Sequence, residues 1–166
     1  MDAGTLVPDE VITGVMLSGI DRLKPGGGFI LDGFPRTVPQ ADALEAGLRQ
    51  RNLRINAVID FRLADEETIN RIVGRRVCKS CAATYNLSFL PPKLTGKCDK
   101  CGGELIQRKD DTRDVIVTRL ETYRTQTAPL IDFYSQRGQF HAVDAAAGAD
   151  AVEAAVSRVV EAASGY

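Results

Sequence analysis

Four cysteines, grouped as two Cys-x-x-Cys pairs, constrain the fold of this chain more than any other feature. The pairs read Cys78-Lys-Ser-Cys81 and Cys98-Asp-Lys-Cys101, with sixteen residues between them. This spacing is typical of a tetrahedral zinc site, whereas a single pair would also fit a redox motif. The segment between the pairs has few apolar residues, so a bound metal must supply much of its folding energy. Four protein ligands leave no open position, and we therefore predict a structural zinc ion.

Outside this cysteine-bearing insert, residues 77–107, the chain alternates helices with short apolar strands. We predict strands at residues 29–32, 57–61 and 140–143, the first two of them buried. Helical spacing and capping residues predict helices at 8–20, 37–51, 65–76, 112–124, 129–136 and 149–163. Parallel strands joined by helices require right-handed crossovers. The predicted fold class is therefore α/β, a three-layer parallel sheet with flanking helices and one inserted zinc-binding segment.

The first predicted strand is followed at once by an acid and a base. Asp32 and Arg36 enclose a Gly-Phe-Pro turn at the carboxyl end of the strand, where open α/β sheets bind their ligands. A carboxylate beside a guanidinium suggests a site for a metal and a phosphate. The three glycines at 26–28 are not a phosphate-binding loop, because they precede a strand and lack a following Gly-Lys-Ser/Thr.

Arginine is used more than lysine, 15 residues against 6, which favours the recognition of anions. Arg71 and Arg75 are four residues apart on a predicted helix, and are therefore expected on one face of it. Arg108 and Arg119 flank the far end of the insert, so two arginine pairs at its two roots could close on phosphates. The two aspartates of the RKDD run are expected to orient these guanidinium groups and to cap a helix rather than to act as bases.

Charge and composition argue against several functional classes. A net charge of −1 gives no support for a general attraction to nucleic acid or membranes. No apolar stretch approaches the ~18 residues of a membrane span, and the first residues do not resemble a secretory signal. Without export, the four cysteines are not expected to form disulfides. We therefore predict a cytoplasmic protein.

The motifs LDGFPRT, IVGRR, the two cysteine pairs, RKDD and TAPLI follow one another in this order. Together they closely resemble adenylate kinase, in its bacterial long-lid, zinc-binding form, over essentially the whole chain. The resemblance implies the fold of the P-loop nucleoside monophosphate kinases, with an AMP-binding remnant and core at 1–76, a zinc-binding lid at 77–107 and further core at 108–166. It implies reversible phosphoryl transfer from ATP to AMP to give two ADP, with structural Zn²⁺ and with Mg²⁺ accompanying ATP. It also implies a monomer with no nucleic-acid or membrane partner.

The resemblance further implies roles for individual residues. It places ten residues around AMP, with Arg36 on the phosphate and Gln40 towards the adenine: Thr5, Leu6, Val7, Gly33, Phe34, Pro35, Arg36, Gln40, Arg108 and Arg119. It places five residues around ATP, the last through its backbone carbonyl: Arg71, Arg75, Thr84, Tyr85 and Ala147. Asp32 would reach Mg²⁺ through water. The catalytic guanidinium groups would be those of Arg36, Arg75, Arg108 and Arg119, and zinc would be held by Cys78, Cys81, Cys98 and Cys101.

One part of the family pattern is not present in this sequence. The opening MDAGTLVPDEV resembles an internal stretch of the family, and no Gly-x-x-Gly-x-Gly-Lys loop or first strand comes before it. Without that central strand, the strands at 29–32 and 57–61 would face each other across a gap of about 10 Å. We therefore expect a fragment, or a gene start placed at an internal Met, without transfer activity. The alternatives are an active shortened enzyme, a zinc-ribbon module that recruits protein or nucleic acid, and a pseudo-kinase that binds AMP without transfer.

Overall fold

A computed structural model describes residues 8–24 and 27–164, which form two compact units. Of these residues, the first unit comprises 8–24, 27–62 and 122–164, and the second comprises 63–121. The elements are α1 (Asp9–Ile20), α2 (Val38–Arg49), β1 (Val58–Arg62), α3 (Asp65–Val73), β2 (Arg75–Cys78), β3 (Thr84–Asn86), β4 (Leu105–Ile106), α4 (Arg113–Thr122), a π-helix (Tyr123–Thr127), α5 (Pro129–Ser135), β5 (Phe140–Asp144) and α6 (Ala149–Ser164). The predicted site residues Thr5, Leu6 and Val7 lie outside the described residues.

The first unit contains a parallel strand pair with helices beside it. β1 and β5 run parallel, with Val58 opposite Phe140, and α5 and α6 both contact β5. Ala41 of α2 and Tyr134 of α5 are buried, and both strands pack against the cluster that they form. The predicted α/β class, with a parallel sheet and flanking helices, is therefore confirmed.

A second apolar cluster joins α1 to α2. Ile20, Leu44 and Leu48 are buried together with Phe34, which precedes α2. The two helices approach so closely that a Cβ atom at Gly47 would overlap a methyl carbon of Leu17. No described helix is long and apolar enough to cross a membrane.

No strand forms at the predicted residues 29–32: residues 28–31 have no regular secondary structure, and Asp32 is in a bend. Ile30 is 91% exposed, while Phe29 and Leu31 are partly buried against the α1–α2 cluster. A strand forms only beside a hydrogen-bonded neighbour, and within residues 8–24 and 27–164 no strand pairs with this segment. β1 is also less buried than predicted, because β5 is its one described neighbour and Phe61 is 54% exposed.

The second unit carries the insert as a small antiparallel sheet in the order β3-β2-β4. The cysteine-bearing segment 77–107 lies within this unit, together with α3 and most of α4. α3 ends at Val73 with Gly74 as its C-cap, and Arg75 already pairs with Asn86 as the first residue of β2. The expectation that Arg71 and Arg75 share one helix face is therefore wrong, because strand pairing draws Arg75 out of the helix.

Candidate functional site

Arg36 lies in the turn before α2, and three of the polar groups of Arg36 are hydrogen-bonded to the protein. The Arg36 backbone N–H donates to Oε1 of Gln40 at 2.7 Å, and Arg36 Nε donates to the carbonyl of Gly33 at 2.8 Å. The Arg36 carbonyl accepts from the hydroxyl of Thr127 at 2.8 Å. Arg36 is exposed, and no carboxylate of the described residues lies within ion-pairing distance of it. The outer nitrogens of this guanidinium are therefore available to an anion.

Gln40 lies behind this turn rather than in the solvent. Its side chain is 2% exposed, and its Nε2 donates to Oδ1 of Asp9 at 2.7 Å while its Oε1 accepts from Arg36. The backbone N–H of Gln40 donates to the Thr37 hydroxyl at 3.3 Å, which caps α2 as predicted. Both the oxygen and the nitrogen of the Gln40 side-chain amide are thus hydrogen-bonded within the protein. Contact with a nucleotide base would require Gln40 to break these hydrogen bonds. Gln40 as an adenine contact stays a prediction.

The remaining residues of the turn differ in exposure. Phe34 is 7% exposed and belongs to the α1–α2 cluster, so its ring is part of the core. Gly33 has a φ of 68° and the Phe34–Pro35 peptide bond is cis. Asp32 is exposed at the start of the turn, where its carboxylate can meet solvent or an ion.

In the second unit, the acidic turn at Asp110 and Asp111 gathers arginines. Asp111 is fully buried and accepts from Arg75 through two bonds, Nε to Oδ2 at 2.9 Å and Nη2 to Oδ1 at 2.5 Å. Asp110 accepts from Arg119 at 2.5 Å, and this bond, together with the charges of Arg119 and Arg108, holds the pKa of Asp110 below its usual value. The prediction that these acids orient guanidinium groups is confirmed for Arg75 and Arg119.

A cavity of about 430 Å³ opens beside Arg71 in the same unit. The Arg71 guanidinium lies 5.5 Å from the centre of the Phe89 ring, which is a cation–π contact, and its Nε pairs with Glu67 at 2.9 Å. Asn86, which also lines the cavity, is 4% exposed, and its side-chain amide donates to the Arg71 carbonyl at 2.8 Å. Phe89 itself is 62% exposed. A planar guanidinium and an exposed ring on one cavity can hold a flat aromatic ligand.

The four cysteines form one cluster. Their sulfur atoms all lie within 4.8 Å of one another, with 3.5 Å between Cys78 and Cys101 and 3.6 Å between Cys81 and Cys98. Four sulfurs around Zn²⁺ at ~2.3 Å lie about 3.8 Å apart, so the cluster fits a tetrahedral zinc ion. None of the four cysteines is in a disulfide.

The two Cys-x-x-Cys pairs fold as near copies of each other. In the first, the Cys78 N–H donates to the Ala83 carbonyl at 2.9 Å, and in the second the Cys98 N–H donates to the Gly103 carbonyl at 2.8 Å. A Cβ atom at Gly103 would come within 2.9 Å of the Cys78 sulfur, so the second copy needs glycine there. The backbone thus presents two sulfurs from each copy to a common centre.

Tyr85 supports this cluster from beneath. Its ring is 7% exposed, its oxygen accepts from the Asp99 N–H at 2.8 Å, and its hydroxyl is 3.4 Å from the Cys98 sulfur. This hydrogen bond, together with those from the backbone of Cys101 and Lys100, lowers the pKa of Cys98 to about 6. The backbone of Gly103 acts in the same direction on Cys101, but the neighbouring thiols and burial raise the pKa of Cys101 to about 12. Thiols this close do not ionise together unless a cation compensates their charge.

For the other predicted site residues, the described structure gives a position but no polar contact that assigns a role. Thr84 is exposed in β3, Ala147 is exposed in the bend between β5 and α6, and Arg108 is exposed just after β4. His141 lies in β5 opposite Ile59, as a strand residue and outside the cysteine cluster.

Sequence reasoning misses three residues that shape these sites. Phe89 and Asn86 lie in an insert whose cysteines dominate its interpretation, although an aromatic residue in an apolar-poor loop is a signal of a contact. Thr127 enters the sequence argument only as part of the TAPLI motif, and its bond to Arg36 joins residues 91 positions apart in the chain. No local pattern indicates a contact of that range.

Comparison with known proteins agrees with this geometry. A family model described as adenylate kinase matches residues 1–139. The chain is 43% identical over 161 residues to the adenylate kinase of Carboxydothermus hydrogenoformans, covering 97% of this chain and 75% of that protein. It is 45% identical over 157 residues to the adenylate kinase of Moorella thermoacetica, covering 95% and 72%. It is 48% identical over 139 residues to that of Streptomyces griseus, covering 83% and 64%. The chain therefore belongs to the adenylate kinase family of phosphotransferases.

Proposed function

We propose that this chain serves the reversible transfer of a phosphoryl group from ATP to AMP, giving two ADP. The observation that carries the proposal is Arg36, whose backbone and Nε are held by the protein while its outer nitrogens face solvent. The family and the names of its relatives supply the reaction. Phosphoryl transfer asks the protein for positioning and for charge neutralisation, which a held arginine provides.

On the AMP side, Arg36 binds the phosphate through its outer guanidinium nitrogens. Gly33 is exposed and Pro35 is partly buried in the same turn, and Phe34 contributes through its main chain because its ring is buried. Gln40 turns from Asp9 towards the adenine when the base arrives. Thr5, Leu6 and Val7 complete the pocket in this proposal, on the strength of the family resemblance alone.

On the ATP side, the adenine enters the cavity that Arg71 and Phe89 line. Cation–π contact already aligns these two groups, and a purine ring can lie against the same surfaces. Thr84 and the main chain of Tyr85 lie on the neighbouring strand β3, and Ala147 contributes its carbonyl. The Tyr85 hydroxyl is used by Cys98 and Asp99.

Arg75, Arg108 and Arg119 neutralise the phosphates during transfer. Asp111 and Asp110 hold two of these side chains in set orientations before the nucleotides bind, which reduces the entropy lost on binding. Asp32 would hold Mg²⁺ through water, and that ion would offset the charge of the ATP phosphates. These assignments follow the family pattern residue by residue.

Zinc is proposed as a structural ion held by the four cysteines, which stiffens a lid that has little apolar core of its own. The cluster Cys78, Tyr85, Cys98 and Leu105 is the one buried group described in this unit's insert. Thiols available to a metal require a reducing compartment, so we place the protein in the cytoplasm. A monomer that acts only on nucleotides completes the proposal.

We also propose that these 166 residues, made on their own, do not transfer phosphate at a useful rate. Phosphate loops supply several backbone N–H groups and a lysine to ATP, and no stretch of the sequence has that pattern. The segment at 28–31 supports the same proposal, because Ile30 is exposed and no strand of the described residues pairs with this segment beside the site turn.

Calorimetric titration with AMP tests the AMP site. Arg36→Lys should weaken AMP binding by about 1–3 kcal/mol, because a point charge cannot replace two parallel hydrogen bonds. Arg49→Lys is the matched control: it makes the same change at an exposed position in the last turn of α2 and should leave the affinity unchanged. Equal affinities for the wild type and Arg36→Lys would reject the assignment of Arg36.

A further inference from the structure

One turn of π-helix stands between α4 and α5. It spans Tyr123–Thr127 and is closed by the Ala128 N–H, which donates to the Tyr123 carbonyl at 2.8 Å. Turns of this kind are rare and are enriched at functional sites. The extra residue also rotates the next part of the chain by roughly 100° relative to a continuous α-helix. The side chain of Thr127 is therefore directed differently from what an α-helical turn would give.

Each end of the π-helix contacts another element of the first unit. The Tyr123 hydroxyl donates to Oδ1 of Asp60 in β1 at 3.1 Å. The Thr127 hydroxyl donates to the Arg36 carbonyl at 2.8 Å. The π-helix is thus anchored to the strand pair at one end and to the Arg36 turn at the other.

The Thr127 contact differs from the other two that hold Arg36. Gly33 and Gln40 lie within four residues of Arg36, so they move with the turn that they stabilise. Thr127 lies 91 positions away, and its hydroxyl bonds Arg36 directly to an element distant in the chain, whereas Gln40 links the turn to α1 only indirectly, through Asp9. A hydrogen bond within a turn stabilises the conformation of the turn. A hydrogen bond from another element fixes the position of the turn relative to that element.

We propose that Thr127 is a positioning residue that sets the place of Arg36 for phosphate binding. The proposal rests on the function proposed for Arg36, and it assigns the π-helix the role of directing the Thr127 hydroxyl at the turn. Thr127 does not itself touch the nucleotide. Its effect is expected on the binding of the phosphate-bearing ligand and on the local order of residues 33–37.

Four variants separate the hydroxyl from the rest of the side chain. Thr127→Val keeps the shape of the side chain and removes the hydroxyl. Thr127→Ala also removes the hydroxyl but introduces a better helix former, and Thr127→Ser keeps the hydroxyl. Thr68→Val is the control, because its hydroxyl also bonds a carbonyl, that of Ala64 at 3.1 Å, but in α3 of the second unit. Each is measured by calorimetry with AMP and by amide hydrogen exchange over residues 33–37 without AMP.

Thr127→Val and Thr127→Ala should weaken AMP binding roughly fivefold, as expected for one lost hydrogen bond, and speed exchange in the turn. Thr127→Ser and Thr68→Val should match the wild type in both measurements. Unchanged exchange in both hydroxyl-free variants would overturn the proposal, as would an equal loss in Thr127→Ser. If the wild type binds no AMP, the proposed function fails, and the exchange data alone still decide the positioning role.

Discussion

At the scale of single residues, Ala82 and Gly102 occupy equivalent positions after the two cysteine pairs, but their backbone conformation is less favourable for alanine than for glycine. Each follows the second cysteine of its pair, and both have a left-handed backbone, with φ of 58° at Ala82 and 71° at Gly102. Their N–H groups donate to the first cysteine's carbonyl in the same way, at 3.0 and 2.8 Å. Alanine bears a steric penalty in this conformation that glycine does not.

Ala82→Gly should stabilise the second unit by about 0.5–1 kcal/mol, since the relief of left-handed strain exceeds the added freedom of the unfolded chain. The reverse change at the equivalent position, Gly102→Ala, should destabilise it by a similar amount, since a Cβ there meets nothing within 4 Å and only the backbone strain acts. Thermal unfolding of the zinc-loaded protein measures both. Shifts of the same sign in the two variants would contradict this explanation.

The bond between Arg75 and Asp111 should matter more for stability than its exposed counterpart. Arg75→Met leaves the fully buried carboxylate of Asp111 without its partner, and should cost about 3 kcal/mol, at the low end because Arg75 is 30% exposed. Arg113→Met removes an equally well-formed bidentate pair with Glu66, but both of those side chains are more than half exposed. That control should cost clearly less stability than Arg75→Met, because solvent screens an exposed pair. Urea unfolding without nucleotide compares the two, and similar losses would show that burial of Asp111 is not decisive.

At the scale of elements, local patterns predict helices well and strands less well. α1, α2, α5, α6 and β5 lie where capping residues and apolar spacing place them, because those signals act within a few residues. The segment at 28–31 has the apolar run of a strand but lacks a described partner, and a strand depends on residues elsewhere in the chain. The prediction that Arg75 belongs to α3 fails for the same reason, since its pairing with Asn86 is not visible in the local sequence.

Zinc should stabilise the folded state of the insert but not that of the first unit. Removing zinc with a chelator, or replacing Cys98 by Ser, should open the β3-β2-β4 sheet because the cluster around Cys98 is the buried group described there. The α1–α2 cluster shares no residue with it and should keep its exchange protection.

Elemental analysis and hydrogen exchange of the two forms check this prediction. One zinc per chain, with faster exchange confined to the second unit in the metal-free protein, is the expected result. Ser80→Ala is a suitable control, since it lies between the cysteines of the first pair and is not a ligand. Zinc-free protein with unchanged exchange at 77–107 would contradict a structural metal.

At the scale of the whole molecule, the arginines in the proposed roles are divided between the two units. Arg36 belongs to the first unit, while Arg75, Arg108 and Arg119 belong to the second. The sequence predicts the four-cysteine cluster and the acid–arginine pairing because both depend on residue type and spacing. It cannot predict the contacts that prepare Arg36, because Thr127 reaches it from a π-helix that no periodicity indicates.

The segment at 28–31 leads to the last prediction, which concerns transfer itself. A version extended at the amino end by a strand and a Gly-x-x-Gly-x-Gly-Lys loop should form ADP from ATP and AMP, whereas the 166-residue chain should not. The added strand can pair with residues 28–31 and cover Ile30, which is 91% exposed. Burial and pairing along one strand are comparable to the ~5–15 kcal/mol by which domains are stable.

A second extended version, with the loop lysine replaced by Met, separates the two effects. It should protect the amides at 28–31 from exchange as well as the full extension does, since it supplies the same strand. It should remain nearly inactive, since it lacks the positive charge that phosphate loops bring to ATP. A coupled assay for ADP, run beside hydrogen exchange, reads both quantities on all three proteins. Robust ADP formation by the unextended chain would show that its own arginines and backbone suffice to hold the ATP phosphates.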